Sequence, residues 1–435
     1  MFIDKVMREI WKEVDKEYKA SYEEAKKLSA EAIYQRHCND VMRFNAGKGV
    51  TMNYVDTIGC PYRMKGGTLS GCSMCDFQSE HARRQGSFLA LKEKSPNLYG
   101  ELILRIFKNG RGNESPSNII ENISGYDTFN NDEIPESVCS MIFGAKLFED
   151  EPYIYSVETR ASSINRARLE RFKRNVSNKR RVSIDFGVEV SNEWIRNEWL
   201  NKSVTNQQIV DATNLLHEYG FSATGNALIG VPGFTEEQSV NLFIETVMWM
   251  DNIGIDKIVV HPLNRKKYTL QGYLHDTFEN DTELLEVGLV QRGHTGLPWL
   301  FTIIYALKEL HDRNPGVYKK LRIMTIDEKN NSIANQVSYN SKPDCTCNDL
   351  CINLINHLMF DRGYDALGEI KKKLTCDQCL ASYMDLLEKQ KKCGSWLRTV
   401  TILGKKIAKH MFPENWEGIY SELLKSVEAY IDEES

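Results

Sequence analysis

The stretch CPYRMKGGTLSGCSMCDF, residues 60–77, sets Cys60, Cys72 and Cys75 in a glycine-rich loop. Eleven residues separate the first two cysteines and two separate the second pair. Three thiolates match a cubane iron–sulfur cluster that leaves one iron open, and an open iron can bind an amino acid's amine and carboxylate. Zinc usually takes four ligands, and His81 or Cys38 could supply a fourth. Spacing alone leaves both metals open. A disulfide is disfavoured, because the chain carries 11 cysteines and its charged N-terminus, MFIDKVMREIWKEVDKEYK, does not read as a signal peptide. Two features favour the cluster. The loop follows MNYVDTI (residues 52–58), which reads as a strand, and its glycines let backbone approach a cluster and its ligand closely.

Outward from this loop, β-rich runs alternate with helix-like stretches. The runs are NIIENIS (118–124), YIYSVE (153–158), VSIDFGVEV (182–190), ATGNALIGV (223–231) and KIVVHPL (257–263). Between them lie LYGELILRIFKN, IPESVCSMIFGAKLF, INRARLERFKR, QQIVDATNLLHEYGF and EEQSVNLFIETVMWMDNIG. This alternation predicts an α/β fold with a parallel sheet, a partial (β/α)6 barrel whose chemistry sits at the C-terminal strand ends. Apolar spacing predicts helices over residues 1–48 and again beyond about residue 280. The expected division is a helical segment at 1–48, the barrel at 49–310 and a helical, cysteine-rich region at 311–435.

The net charge of −5 argues against whole-surface attraction to nucleic acid, and RFKRNVSNKRR (171–181) is the one strongly basic run. No apolar run approaches the ~20 residues of a membrane span, so a cytoplasmic protein with no membrane partner is expected. Six further cysteines, Cys345, Cys347, Cys351, Cys376, Cys379 and Cys393, fall within 49 residues. They predict a second metal site, with Cys345, Cys347, Cys376 and Cys379 as ligands. A structural zinc and an auxiliary iron–sulfur cluster both fit.

The sequence resembles the radical S-adenosylmethionine (radical SAM) enzymes, in the branch that contains the elongator catalytic subunit, which shares a widened gap between the first two cysteines. VETRASSI (157–164), GVEVSNEWIRNEWLNKSVT (187–205) and GNALIGVPGFTEEQS (225–239) resemble the segments after that family's third, fourth and fifth strands. SGYDTFNNDEIP (124–135), VETR (157–160), SNEWIRNEWLNK, LPWLFTIIYALKEL (297–310) and the terminal cysteine pairs look closer to the radical SAM partner of archaeosine synthase. The resemblance covers roughly residues 50–385. Met74 stands where many members have an aromatic, and Ala161-Ser162 replaces the usual Pro-Asp or Pro-Glu.

The resemblance implies that Cys60, Cys72 and Cys75 hold a 4Fe–4S cluster and that SAM binds its fourth iron. It implies an electron donor of flavodoxin or ferredoxin type and a nucleoside-like or tRNA-borne substrate. Around SAM it places Ser124, Gly125, Glu158, Arg160, Glu189, Asn192, Gly230 and Pro232. Glu158 and Arg160 lie two strand positions apart, hence on one face, and Arg160 suits a carboxylate. Plainer readings stand beside these. Glu158 and Arg160 also fit a surface ion pair, Asn192 a helix cap, and Gly230–Gly233 a tight turn with Thr235 and Glu237 capping the next helix. His261, at the end of the sixth run, reads equally as structural or as a substrate contact. Two further functions remain open: the same chemistry on a small metabolite, and a non-enzymatic, zinc-stapled binding protein.

Overall fold

The computed structural model describes residues 1–41, 43–45, 50–54, 57–75, 81–111, 120–124, 126–144, 154–176, 181–323, 338–360 and 376–434. Its strands are β1 (Arg43–Asn45), β2 (Val50–Tyr54), β3 (Met64–Lys65), β4 (Thr68–Leu69), β5 (Ile120–Ser124), β6 (Ile154–Thr159), β7 (Arg181–Glu189), β8 (Ser222–Ile229), β9 (Lys257–Pro262) and β10 (Leu321–Ile323). Eight of them form one sheet in the order β1-β2-β5-β6-β7-β8-β9-β10, and β3 pairs with β4 in a small hairpin. From β2 to β10 every neighbouring pair is parallel; only β1 runs antiparallel, on β2. β1 and β10 stand at the two ends of the order, so the barrel is open, and all the parallel strands end on one rim.

The pattern of β7 explains how the sheet is buried. Val182, Ile184, Phe186 and Val188 alternate with Ser183, Asp185 and Gly187, so the two sets face opposite sides. The apolar set joins Val157, Ala223, Ala227, Ile229, Ile258 and Val260 in one core with residues of the helices Arg166–Asn175, Asn206–Glu218, Glu236–Asn252 and Leu300–Arg313. The opposite face buries Ser156, Ser183, Asp185 and Thr224. Two of the covering helices start with reciprocal caps, Thr205 with Gln208 and Thr235 with Gln238. The partner of Thr235 is therefore Gln238, not the expected Glu237.

The expected boundaries shift at both ends. Residues 43–45, placed in the helical segment, are β1 and pair with the edge of β2. Leu321–Ile323, placed beyond the barrel, extend the parallel sheet on β9. Each piece is three residues long, too short for periodicity to register. The sequence pattern also passes over the helix Ala82–Lys94. Gly86 interrupts its apolar spacing because the helix Lys12–Lys26 crosses there: a Cβ on Gly86 would lie 2.4 Å from the Tyr18 carbonyl oxygen. Gly86→Ala must push two backbones apart. Overpacking of this kind costs about 1–3 kcal/mol, and a denaturant melt should show a loss in that range. An unchanged midpoint would contradict the close crossing.

Candidate functional site

Beyond β2 the chain is anchored at Thr57, whose hydroxyl donates to Glu133 Oε1 at 2.8 Å and accepts from the Gly59 N–H at 3.0 Å. Cys60 then precedes one turn of 3-10 helix, Pro61–Arg63. The β3–β4 hairpin returns the chain, with the Ser70 N–H bonded to the Arg63 carbonyl at 2.7 Å. Cys72 and Cys75 share a tight turn closed by a 3.0 Å bond from the Cys75 N–H to the Cys72 carbonyl. All three thiols are partly buried and unbridged. Burial pushes the Cys60 thiol up to about 12, against the pull of the Arg160 guanidinium. Arg160 also acts electrostatically on Cys72, as does the Lys202 ammonium.

Three thiols in one loop are a donor set that a cluster with one open iron would accept. Among the described residues, only a group in the C-terminal region brings three or more metal-ligating atoms within 4.8 Å of one another. The loop thiols are not drawn in that way, and the Cys38 sulfur bonds the Gln35 carbonyl of its own helix at 3.6 Å. A cubane seats each thiolate on a different iron. Its negative charge with three thiolates suits the two cations that act electrostatically on Cys60 and Cys72.

Arg160, 8 % exposed, follows β6. Its guanidinium lies 4.1 Å from the Tyr62 ring centroid and donates to the carbonyls of Lys202 and Ser203. Glu189 ends β7 in the left-handed region, at φ 64°, beside a register shift. Its Oε1 accepts from Lys202 Nζ at 2.7 Å, in a pair with side chains 9 % and 10 % exposed. Burial works against the Lys202 ammonium, and Glu189 with the Cys72 sulfur outweighs it, so Lys202 titrates above an ordinary lysine. Burial holds the His261 imidazole below its usual range, with the Glu189 carboxylate pulling the other way. Deeper in the lumen, Asp185 accepts from the hydroxyls of Ser156 and Ser183. The half-buried Glu158 is paired in register with Asp185, which is paired with Thr224.

The other expected residues divide. Ser124 ends β5 opposite Tyr54, and Gly125 lies outside the described residues. Asn192 takes the capping role: its Oδ1 accepts from the Ile195 N–H at 2.9 Å, and its Nδ2 donates to the Tyr430 hydroxyl at 3.0 Å. Gly230, at φ 97°, closes the turn after β8 against Pro298, whose Cγ a Cβ would meet at 2.4 Å. The Pro232 carbonyl accepts from Trp199 Nε1 at 3.0 Å.

Three buried ionisable residues that the sequence pattern left unassigned carry much of the site: Asp127, Glu133 and Arg196. Asp127 Oδ1 accepts from the Thr159 hydroxyl at 2.7 Å and the Arg160 N–H at 3.0 Å, tying the segment after β5 to the end of β6. Glu133 accepts from the N–H groups of Tyr126 and Asp127 at 2.8 and 2.7 Å as well as from Thr57. The acids of SGYDTFNNDE were the only signal for these roles.

In the C-terminal region Cys345, Cys347, Cys376 and Cys379 come together, and this group can hold a metal. Cys393 stands apart, with its sulfur 3.4 Å from the Val287 carbonyl.

Burial raises the Glu133 carboxyl to about 8 from an ordinary value near 4.5, with the Asp127 charge adding to the shift. The neutral form is favoured in the fold, so its contribution is complete below the unfolded value and is lost as pH rises through the folded one. Subtracting the stability profile of Glu133→Gln from that of the wild type should therefore leave a difference that declines from about pH 4.5 to about 8. The variant should also be weaker throughout, because its amide N–H groups face backbone donors. A flat difference would mean that Glu133 is ionised in the fold.

No family model matches the chain. The uncharacterized protein MJ0550 of Methanocaldococcus jannaschii is 25% identical over 315 residues, which span 72% of this chain and 76% of that protein. Among solved structures, the radical SAM methyltransferase TsrM from Kitasatospora setae, with cobalamin and a [4Fe-4S] cluster bound, superposes with a TM-score of 0.38 at 14% identity, over 76% of this chain and 61% of that one. The same enzyme with tryptophan substrate and a SAM analog gives 0.32 at 17% identity, over 52% and 38%. Coproporphyrinogen III oxidase (HemN) from Escherichia coli, a radical SAM enzyme, gives 0.36 at 15% identity, over 67% and 57%. The chain thus spans less than two thirds of each of these solved chains.

Proposed function

We propose that this protein is a radical SAM enzyme acting on a nucleoside-like or tRNA-borne substrate. The observation that carries the reading is the cysteine loop: three partly buried thiols beyond the end of β2, on the rim where all the parallel strands end, with the buried Arg160 and Lys202 acting electrostatically on Cys60 and Cys72. A 4Fe–4S cluster on Cys60, Cys72 and Cys75, reduced by a flavodoxin- or ferredoxin-type donor, would supply the electron that cleaves SAM to methionine and a 5′-deoxyadenosyl radical, which takes hydrogen from the substrate.

The chain's own residues divide the remaining work. By the resemblance, Ser124, Gly125 and Glu158 would bind the polar end of SAM, Ser124 as the last residue of β5 and Glu158 as the penultimate residue of β6. Arg160 spends hydrogen bonds on the carbonyls of Lys202 and Ser203, so it also positions the loop that carries Lys202. Glu189, Lys202 and His261 offer an anion, a cation and an imidazole toward the lumen, and Asp185 and Thr224 lie below them. That lining suits a substrate rich in hydrogen-bonding groups, as a nucleobase is. The segments that resemble the archaeosine synthase partner favour a nucleoside. The net charge of −5 favours a small metabolite over a whole tRNA.

Anaerobic reconstitution tests the reading. Wild-type protein should bind about four irons in the loop and cleave SAM when reduced, and Cys72→Ala should lose both, since it removes one of only three thiolates. Full loop iron in a Cys60→Ala, Cys72→Ala, Cys75→Ala variant would sink the assignment. SAM cleavage should rise above background with tRNA or nucleosides. A rise only with unrelated small metabolites would keep the chemistry and overturn the substrate class.

A further inference from the structure

We propose that Cys345, Cys347, Cys376 and Cys379 hold one zinc ion in a tetrahedral tetrathiolate site, and that this ion clasps the C-terminal helices to the barrel. The inference does not depend on the radical SAM reading, because the two sites share no residue.

The sulfur spacing decides between one ion and a cluster. Four thiolates around one ion at the zinc–sulfur distance of about 2.3 Å sit at the corners of a tetrahedron with edges of about 3.8 Å. Here Cys345 and Cys376 sulfurs are 3.8 Å apart, Cys347 and Cys379 are 3.5 Å apart, and Cys345 and Cys379 are 3.5 Å apart. All four lie within 4.8 Å of one another. These separations far exceed a disulfide bond of about 2.05 Å. They are too short for a cubane or a two-iron cluster, in which thiolates on different irons are spread apart by the metal core. An all-sulfur tetrahedral set selects zinc or iron, and the one-ion spacing removes the cluster option.

Asn340 connects the site to the barrel. It is fully buried, and its Nδ2 donates to the Cys347 sulfur at 3.4 Å and to the Cys351 sulfur at 3.5 Å. Its Oδ1 accepts from the Phe301 N–H at 3.2 Å, at the start of the helix Leu300–Arg313. Its N–H donates to Asn348 Oδ1 at 2.8 Å, and its carbonyl lies 2.9 Å from His294 Nε2. An amide that donates to a ligand sulfur and is itself held by the fold is the outer-shell support such sites use. Cys345 and Cys347 lie at the start of the helix Thr346–Phe360, and Cys376 and Cys379 at the start of Asp377–Gln390, so one ion would join both helices to Asn340. The second helix is also bonded to the barrel, through Tyr383 to Thr302 at 2.7 Å and Gln390 to the Glu236 N–H at 2.9 Å. Cys351 is a neighbour of the site and Cys393 is remote from it, so neither is a ligand.

The test counts zinc, iron and acid-labile sulfide in the full chain carrying Cys60→Ala, Cys72→Ala and Cys75→Ala, where loop iron is gone. One zinc per chain with no iron or sulfide is expected, and Cys376→Ser with Cys379→Ser should abolish it. Cys351→Ser and Cys393→Ser should keep the full equivalent. X-ray absorption at the zinc edge of unmutated protein should show four sulfurs at about 2.3 Å, which covers the case of a variant that fails to fold. Stripping zinc from wild type should lower the melting temperature and speed proteolysis within 376–390. Iron with matching sulfide that vanishes in the tail variant would overturn the proposal, as would mononuclear iron, fewer than four sulfur ligands, or zinc that survives loss of both cysteines. Unchanged melting and proteolysis after stripping would overturn the clasp.

Discussion

The candidate site depends on one buried cation. Arg196 has no exposed surface. Its Nε reaches the carbonyls of Val188 and Val190 at 3.0 Å each, its Nη1 that of Val204 at 3.0 Å, and its Nη2 the Val190 carbonyl and Asn206 Oδ1 at 2.7 Å each. Burial lowers its pKa to about 10, so it remains charged at neutral pH. A buried guanidinium costs several kcal/mol unless its donors are met, and here carbonyls from both sides of a π-helical turn, Ile195–Trp199, meet them. The backbone from Val188 to Asn206 is therefore held as a unit. That unit reaches the other loops: the Trp199 and Leu200 carbonyls accept from the Ser73 hydroxyl and N–H at 2.8 and 2.9 Å, and Asn201 Nδ2 donates to the Gly71 carbonyl at 2.8 Å. The cysteine turn and the turn after β8 are thus positioned against the same short segment.

The same segment carries the backbone strain. Glu189, Asn201 and Ser203, at φ 64°, 56° and 50°, are the only non-glycine residues with positive φ among the described residues. Each such residue costs of order 1–3 kcal/mol, and such strain persists where the surroundings over-determine it, commonly at ligand sites. Glu189 is one half of the pair with Lys202, Asn201 and Ser203 flank Lys202, and the carbonyls of Lys202 and Ser203 receive Arg160. A charged pair is thereby presented to the lumen in one fixed orientation.

The two ends of the chain brace this arrangement from outside. Trp11 Nε1 donates to the Tyr268 carbonyl at 2.9 Å, Asp4 accepts from the Ser70 hydroxyl at 2.8 Å, and Asp15 accepts from the Leu69 N–H at 3.0 Å. The helix Phe2–Ile10 in turn meets the helix Trp416–Glu434 through Lys5 and Glu422. From the C-terminal side, Gln238 Nε2 donates to the Gly394 carbonyl and the Thr399 hydroxyl at 3.0 Å each. Helices outside the barrel pattern are therefore part of what holds the cysteine loop.

Much was legible in the sequence because it is carried by local pattern. Alternation in VSIDFGVEV states which side chains face the helices and which the lumen, and the order of strand-like runs implies a parallel sheet whose ends share a rim. Cysteine spacing separated the loop trio from the tail group and named the four tail thiols that come together. The tertiary structure decided what depends on distant partners. Asn192 became a cap because Tyr430 and the turn at Ile195 occupy its amide, and Gly86 sits inside a helix because another helix crosses there. The roles of Asp127, Glu133 and Arg196 rest on acceptors and donors that no local pattern announces. Single ion or cluster in the tail turns on distances of a few ångström between sulfurs some 30 residues apart. A sequence specifies such distances only through the whole fold.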